Sequence, residues 1–196
     1  PALAVTVISN APGAPDPGPP AGTTVVADFS SPLAPGVTNT TSGSVLIVSG
    51  TMPGYAQPAP ASPPNPYQAV QAGGVSTFTF ANPLGIFSLY WGSIDRYNTL
   101  EFLNAANSVV ASFTGASFPP AAGNQILANS NRRITFGFTA AEGVRKVRFS
   151  SSQNSFEFDT LAIAAIPEPA TWAMMILGFG LIGGALRSRK AATARV

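Results

Sequence analysis

The sequence predicts a mainly β chain: an antiparallel β-sandwich of jelly-roll type followed by a single C-terminal transmembrane helix. Three observations carry this. Between Val75 and Asp159, apolar residues recur at every second position in short runs separated by Gly, Asn, Ser and Pro. That is the period of a strand with one buried face. No helical period precedes Pro167. Beyond it, Ala170 to Leu186 is seventeen residues without a charge.

The chain divides at two points. Residues 1–22 form a Pro/Gly-rich segment, 23–166 the sandwich, and 167–196 a C-terminal segment with the helix at 170–186 and a basic tail at 187–196. Residues 1–72 hold 14 of the 19 prolines and only two charges, Asp16 and Asp28. Ala11–Pro20 and Tyr55–Pro66 therefore read as loops or polyproline-like runs, with a Pro-rich loop spanning about 53–66. Between them, Thr23–Phe29 and Ser44–Ser49 read as strands, being rich in β-branched residues and bounded by turn formers. Later strands are marked by Ser76/Phe78/Phe80, Phe87/Leu89/Trp91, Leu100/Phe102, Val109/Ala111/Phe113, Ile134/Phe136/Phe138, Val147/Phe149 and Phe156/Phe158.

In the last of these the apolar parity switches near Thr160. Phe156 and Phe158 share one face, whereas Leu161 and Ile163 share the other with Glu157 and Asp159. Either a bulge re-registers the strand or the carboxylates turn toward a ligand. A structural Ca²⁺ held by Glu157 and Asp159 with Asp28 from an early strand is one such ligand, since calcium takes oxygen donors. No other cofactor is expected.

Composition removes several classes of function. The 196 residues contain no Cys and no His, which excludes thiol nucleophiles, disulfides, Cys/His zinc sites and His-based triads. Glu157 and Asp159 could meet the spacing of a glycosidase pair, but nothing else indicates a cleft, so no enzyme is expected. The net charge of +2 is a property of the tail, where Arg187, Arg189, Lys190 and Arg195 cluster. Six basic and seven acidic residues precede Pro167. A near-neutral body lacks the basic stripe that nucleic acid requires.

As a helix, 170–186 would span roughly 25 Å at about 1.5 Å per residue, slightly short of a ~30 Å hydrocarbon core. Trp172 suits one interface, and Arg187, Arg189 and Lys190 suit the cytoplasmic side. A buried core helix is the competing reading of the same length. Gly180 and Gly184 form a GxxxG pair that would let helices approach closely. Ahead of the helix, Pro167 and Pro169 bracket Glu168 and hold the backbone extended, a shape that a membrane-embedded processing enzyme could grip.

The order Pro167-Glu168-Pro169, then Trp172-Ala173-Met174-Met175, then Gly178-Phe179-Gly180, then a short basic end resembles the PEP-CTERM sorting signal in its Trp-Ala variant. Ser188 interrupts the basic run, and six residues follow Lys190. The resemblance implies an exported surface protein of a Gram-negative, exopolysaccharide-making bacterium. It would pass transiently through the inner membrane and reach the cell surface or extracellular matrix. Exosortase would be its partner, recognising Pro167–Pro169 and cutting near them, with Met174, Met175, Gly178, Phe179, Gly180 and Gly184 in the anchor. Ala2-Leu3-Ala4 resembles the end of a leader cleavage site, so a removed leader is expected.

Phe87–Phe102, with Tyr-Trp-Gly-Ser followed by Asp95 and Tyr97-Asn98, resembles exosortase-dependent surface proteins whose body is like a carbohydrate-binding jelly roll. Trp91 shares parity with Phe87 and Leu89 and belongs in the core. Tyr90 points the other way and, with Tyr97, is the candidate for glycan contact. Asp95 and Asn98 read as turn formers. Arg132-Arg133 and Arg145-Lys146-Arg148 read as solvated strand ends that could meet acidic polysaccharide. Lys occurs only at 146 and 190, leaving sheet edges poorly guarded against self-association. The expected role is structural or adhesive, with polysaccharide binding and fibre assembly as alternatives.

Overall fold

The computed structural model describes residues 5–9, 12, 15–58, 65–121, 123 and 130–166, and Ile176, Leu177 and Phe179 of the C-terminal segment. The chain separates into two compact units, 1–166 and 167–196.

Among the described residues of the first unit, twelve strands make two antiparallel sheets. They are β1 (Thr6–Ser9), β2 (Thr24–Ala27), β3 (Val37–Ser42), β4 (Val45–Ser49), β5 (Pro66–Val70), β6 (Val75–Phe80), β7 (Leu84–Gly92), β8 (Asn98–Asn104), β9 (Val109–Thr114), β10 (Arg132–Gly137), β11 (Val144–Ser151) and β12 (Phe156–Ala165). One sheet runs β1-β10-β7-β12-β5-β4, with β2 also paired to β12; the other runs β3-β6-β11-β8-β9. All pairings are antiparallel.

Every alternating run from Val75 onward forms its expected strand. Three strands carry too weak a pattern to be read: β1, β3 and β5. The first revises the domain reading, because Thr6–Ser9 pairs with Ile134–Gly137 and so brings part of segment 1–22 into the sheet. β5 begins on Pro66, a first-residue position that needs no ladder donor there. Ahead of Pro167 the described helical structure is a 3-10 turn at Gly115–Ser117 and a 3-10 residue at Ser130.

The core between the sheets is aromatic. All twelve phenylalanines of the first unit lie in it or pack against it. Phe149 stacks on Phe158 at 3.9 Å between centroids, and Trp91 on Phe156 at 4.3 Å. Edge-to-face pairs surround them, such as Phe87–Phe102 at 5.7 Å. Each such ring contributes about 1.5–3 kcal/mol by burial, and each favourable pair about 0.5–1.5 kcal/mol more. A chain without disulfides is held by this layer.

The parity switch in β12 is a bulge. Asp159 pairs with Tyr90 but Ala162 pairs with Ser88, a slip of one residue. Thr160 sits at φ 47°, a left-handed conformation that a β-branched residue rarely adopts. The slip keeps Phe156, Phe158 and Leu161 in the core. Past the bulge, β2 replaces β5 along the same strand, with Leu161 opposite Ala27.

Of the C-terminal unit, Ile176, Leu177 and Phe179 are helical and exposed. The rest of the predicted span 170–186, the Pro167–Pro169 signal, Trp172, Ala173, Met174, Met175, Gly178, Gly180, Gly184 and the basic residues Arg187, Arg189 and Lys190 lie outside the described residues. Among the described residues no helix is long and apolar enough to cross a membrane.

Candidate functional site

Three places on the chain carry the predicted functional residues: the end of β12, the outer face of the larger sheet, and the loop end of the smaller one.

At the first, β12 runs to Ala165, which pairs with Leu84. The backbone N–H of Ile166 then donates to the Pro83 carbonyl at 2.8 Å. The ladder thus holds the chain up to the residue before Pro167. Pro167 itself has no N–H to donate to a ladder.

At the second, the outer face of the larger sheet carries Tyr90, Arg133, Glu157 and Asp159, all buried. Tyr90 does point away from Trp91, as its parity requires, but it is 2% exposed. This corrects the expectation of a glycan contact there: two Pro-rich segments cover the face. One brings Asp16, which forms a bidentate ion pair with Arg133 through Nε (2.8 Å) and Nη2. Arg133 Nη1 also donates to the Thr160 carbonyl at 3.0 Å, so the bulge supplies an acceptor. The other segment brings Ala56, whose N–H donates to Glu157 Oε1 at 2.9 Å, and Pro58, which sits on Gly92. Asn65 Nδ2 donates to Asp159 Oδ2 at 2.7 Å. Arg132 is buried as well, donating to Ser9 Oγ at 3.1 Å and to the Pro119 carbonyl. The arginine pair is therefore not a solvated strand end, and neither guanidinium faces a polysaccharide.

Burial pushes the Glu157 carboxyl up to about 8, against the opposing bonds from Ser155 and Ala56, and pushes Asp159 up to about 6. Desolvation of the charged form is the leading cause in both. Among the described residues Glu157 Oε2 has no hydrogen-bond partner, which a neutral carboxyl tolerates better than a carboxylate. The calcium reading does not assemble. Asp28 Oδ1 instead accepts from the N–H groups of Ser30 (3.0 Å) and Ser31 (2.9 Å), closing its own loop. Among the described residues no group of three or more acids is arranged to hold a metal ion.

At the third, Tyr97 is half-buried and lines a cleft of about 480 Å³. Its hydroxyl lies 2.5 Å from Asp95 Oδ2 and 2.7 Å from the Asn154 carbonyl oxygen. Asn98 acts as the turn former expected, its Oδ1 accepting from the Asp95 N–H at 3.0 Å. Asp16, Asn65 and Pro58 were not legible as functional positions. Their partners lie far along the chain, and only the two prolines flanking Asp16 mark it as a fixed point.

Comparison with solved structures gives only weak likenesses. A domain of bacteriophage CBA120 tailspike protein 4 is 13% identical, with a TM-score of 0.33 over 67% of this chain and 20% of that one. The chain thus spans about a fifth of that relative. A family 11 carbohydrate-binding module from Clostridium thermocellum is 13% identical, with a TM-score of 0.30 over 75% of this chain and 98% of that one. Among curated proteins, none matches. The family comparison is specific: residues 165–190 match the PEP-CTERM protein-sorting motif. The match begins on the last residue of β12, and it implies exosortase-dependent export.

Proposed function

We propose that this chain is a non-enzymatic surface protein of a Gram-negative bacterium, sorted and processed by exosortase, with a structural or adhesive role in an exopolysaccharide layer. The observation that carries the reading is the motif at 165–190, starting where β12 ends. The sandwich is the delivered part; Pro167–Pro169 is the recognised and cut segment; the apolar stretch 170–186 anchors the precursor in the membrane. The test is the intact mass of the protein recovered from the host surface, for the native chain and a Pro167→Ala/Glu168→Ala variant. A native C-terminus near Pro169, lost in the variant, is expected. A native chain extending through Val196 overturns the reading.

Self-association is a second reading, favoured by the sheet edges. Among the described residues the outermost strands β1, β3, β4 and β9 contain no charged residue and no proline. Ile8 and Ile47 are 60% and 62% exposed on two of them. Natural sheets usually guard such edges. Sedimentation of the full chain in a mild detergent should show oligomers that Ile47→Lys dissolves; a monomer at every concentration removes this reading.

A further inference from the structure

We propose that the cleft at the loop end of the smaller sheet binds an acidic sugar unit of a polysaccharide, with Arg96 pairing the sugar carboxylate and Tyr97 offering its ring to the pyranose. The cleft is bounded by the Gly73-Gly74 turn between β5 and β6, by Arg96, Tyr97 and Thr99, and by Ser150–Ser152 at the end of β11.

Charge bookkeeping singles out Arg96. Every other described cation of the first unit is engaged. Arg132 and Arg133 are held as above, and Arg145 donates to the Ala81 carbonyl. Lys146 donates to Asn107 Oδ1 at 2.5 Å, and Arg148 Nε to Glu101 Oε2 at 2.7 Å. Arg96 is exposed and, among the described residues, makes no hydrogen bond or ion pair. No carboxylate lines the cleft with it. The neighbouring acid, Asp95, is turned onto the Tyr97 hydroxyl instead. An unpaired planar guanidinium beside an acid-free cavity suits a carboxylate, which it can grip through two parallel N–H donors.

The rest of the lining suits the sugar ring. Tyr97 is fixed at its polar end by Asp95 and Asn154, so little side-chain freedom is lost when a ligand docks on it. Thr99, Ser150 and Ser152 offer hydroxyls that both donate and accept. Ser151 is used internally, donating to the Gln153 carbonyl at 2.6 Å and accepting from Asn98 Nδ2 at 3.0 Å. That bond ties the β11 end to the base of β8. The turn forming the opposite wall needs glycine, because a Cβ at Gly74 would lie 2.4 Å from the Ser44 carbonyl oxygen.

The proposal deepens the surface-layer reading, but binding is measurable whether or not the motif is cut. Full-length protein in a non-ionic detergent would be titrated with trigalacturonate and with neutral maltotriose, by calorimetry at two salt concentrations. Saturable binding of trigalacturonate that weakens with salt, with maltotriose binding roughly tenfold or more weakly, is expected. Arg96→Gln removes no described contact and so keeps the fold; it should lose about tenfold in trigalacturonate affinity. Arg145→Gln, at the far end of β11, should lose none. Equal binding of the two sugars, unchanged affinity in Arg96→Gln, or no binding of trigalacturonate would each overturn the proposal. Loss of motif processing in the host, with binding intact, would overturn only the reading of export.

Discussion

The two sheets start from the same period-two pattern and end in different environments. In the smaller sheet, β6 alternates buried and half-exposed residues along its whole length, and β8 and β11 largely follow. Its outer face meets solvent with Thr77, Thr79, Glu101 and Arg148. In the larger sheet the central strands are buried on both faces: β7 from Phe87 onward, and β12 from Phe156 to Asp159. What differs is the covering. Two segments with no period of their own, one around Asp16 and one around Ala56 to Pro58, lie over the second sheet. A polar face thus becomes a buried one, and its acids and arginine must find partners.

The largest expected consequence is a pH dependence that the smaller sheet cannot give. Glu157 is raised from 4.5 to about 8 and Asp159 from 3.8 to about 6. The folded chain therefore holds protons that the unfolded chain releases. Stability from these groups is fully present below about pH 4 and falls as pH rises to about 8, by about 3–5 kcal/mol for Glu157. Ser155, the Ala56 N–H, Tyr67 and Asp95 face this carboxyl. Urea midpoints across pH 4 to 8 should fall, and Glu157→Gln should flatten the curve. A native midpoint that rises over this range would show that Glu157 is ionised under its cover.

The ion pair at the other end of the covered face comes next. Arg133 is 1% exposed and Asp16 23%. Asp16→Ala leaves a buried guanidinium whose partners, among the described residues, are the Thr160 carbonyl, the Ser88 hydroxyl and the Tyr90 ring. The expected loss is about 3 kcal/mol, near the lower end for breaking a buried pair. A loss below about 1 kcal/mol would mean that the first segment is held by its prolines and not by this pair.

A smaller effect tests the second segment. A Cβ at Gly92 would lie 2.6 Å from Pro58 Cβ and 2.7 Å from its Cα. Gly92→Ala should cost about 1–3 kcal/mol as an overpacked contact. Gly137→Ala on the same sheet meets Thr6 at ordinary contact distance, its Cβ at 3.5 Å and its carbonyl oxygen at 4.0 Å, and should be nearly neutral. Equal midpoints for the two variants would show that the strap yields freely.

Much of this molecule was legible because strands announce themselves. Phe78, Phe87, Phe102, Phe149 and Phe158 sit in the core that their parity demanded, and the parity break at Thr160 located the bulge. The sorting motif was legible because it is local: its residues are contiguous and need no partner elsewhere in the body. Coverage was not legible. Tyr90 was rightly assigned to the outward face, yet it is buried because Asp16, 117 residues from its partner Arg133, closes over that face. Ala56 likewise reaches Glu157 across 101 residues. Proline-rich segments specify a stiff path but not what lies beneath it. Arg96 carries no signal in the sequence for a related reason. A lone arginine in a turn reads as solvated until the partners of all the other cations have been found.

The smallest expected effect belongs to the uncovered face, and it completes the comparison. Arg148 and Glu101 pair across β11 and β8 at 2.7 Å, with side chains 36% and 19% exposed. The covered pair is bidentate and its guanidinium is 1% exposed, whereas this one rests on a single N–H and its guanidinium is open to solvent. Water screens this pair, and each partner is resolvated when the other is removed. Glu101→Ala should therefore cost less than about 1 kcal/mol, and that cost should shrink further in high salt. Asp16→Ala should keep most of its cost in the same buffer, because its partner is out of reach of mobile ions. Two urea curves for each variant, at low and high salt, make the measurement. A Glu101→Ala cost that matched Asp16→Ala and ignored salt would mean that the smaller sheet is covered too, by some part of the chain or by a second copy.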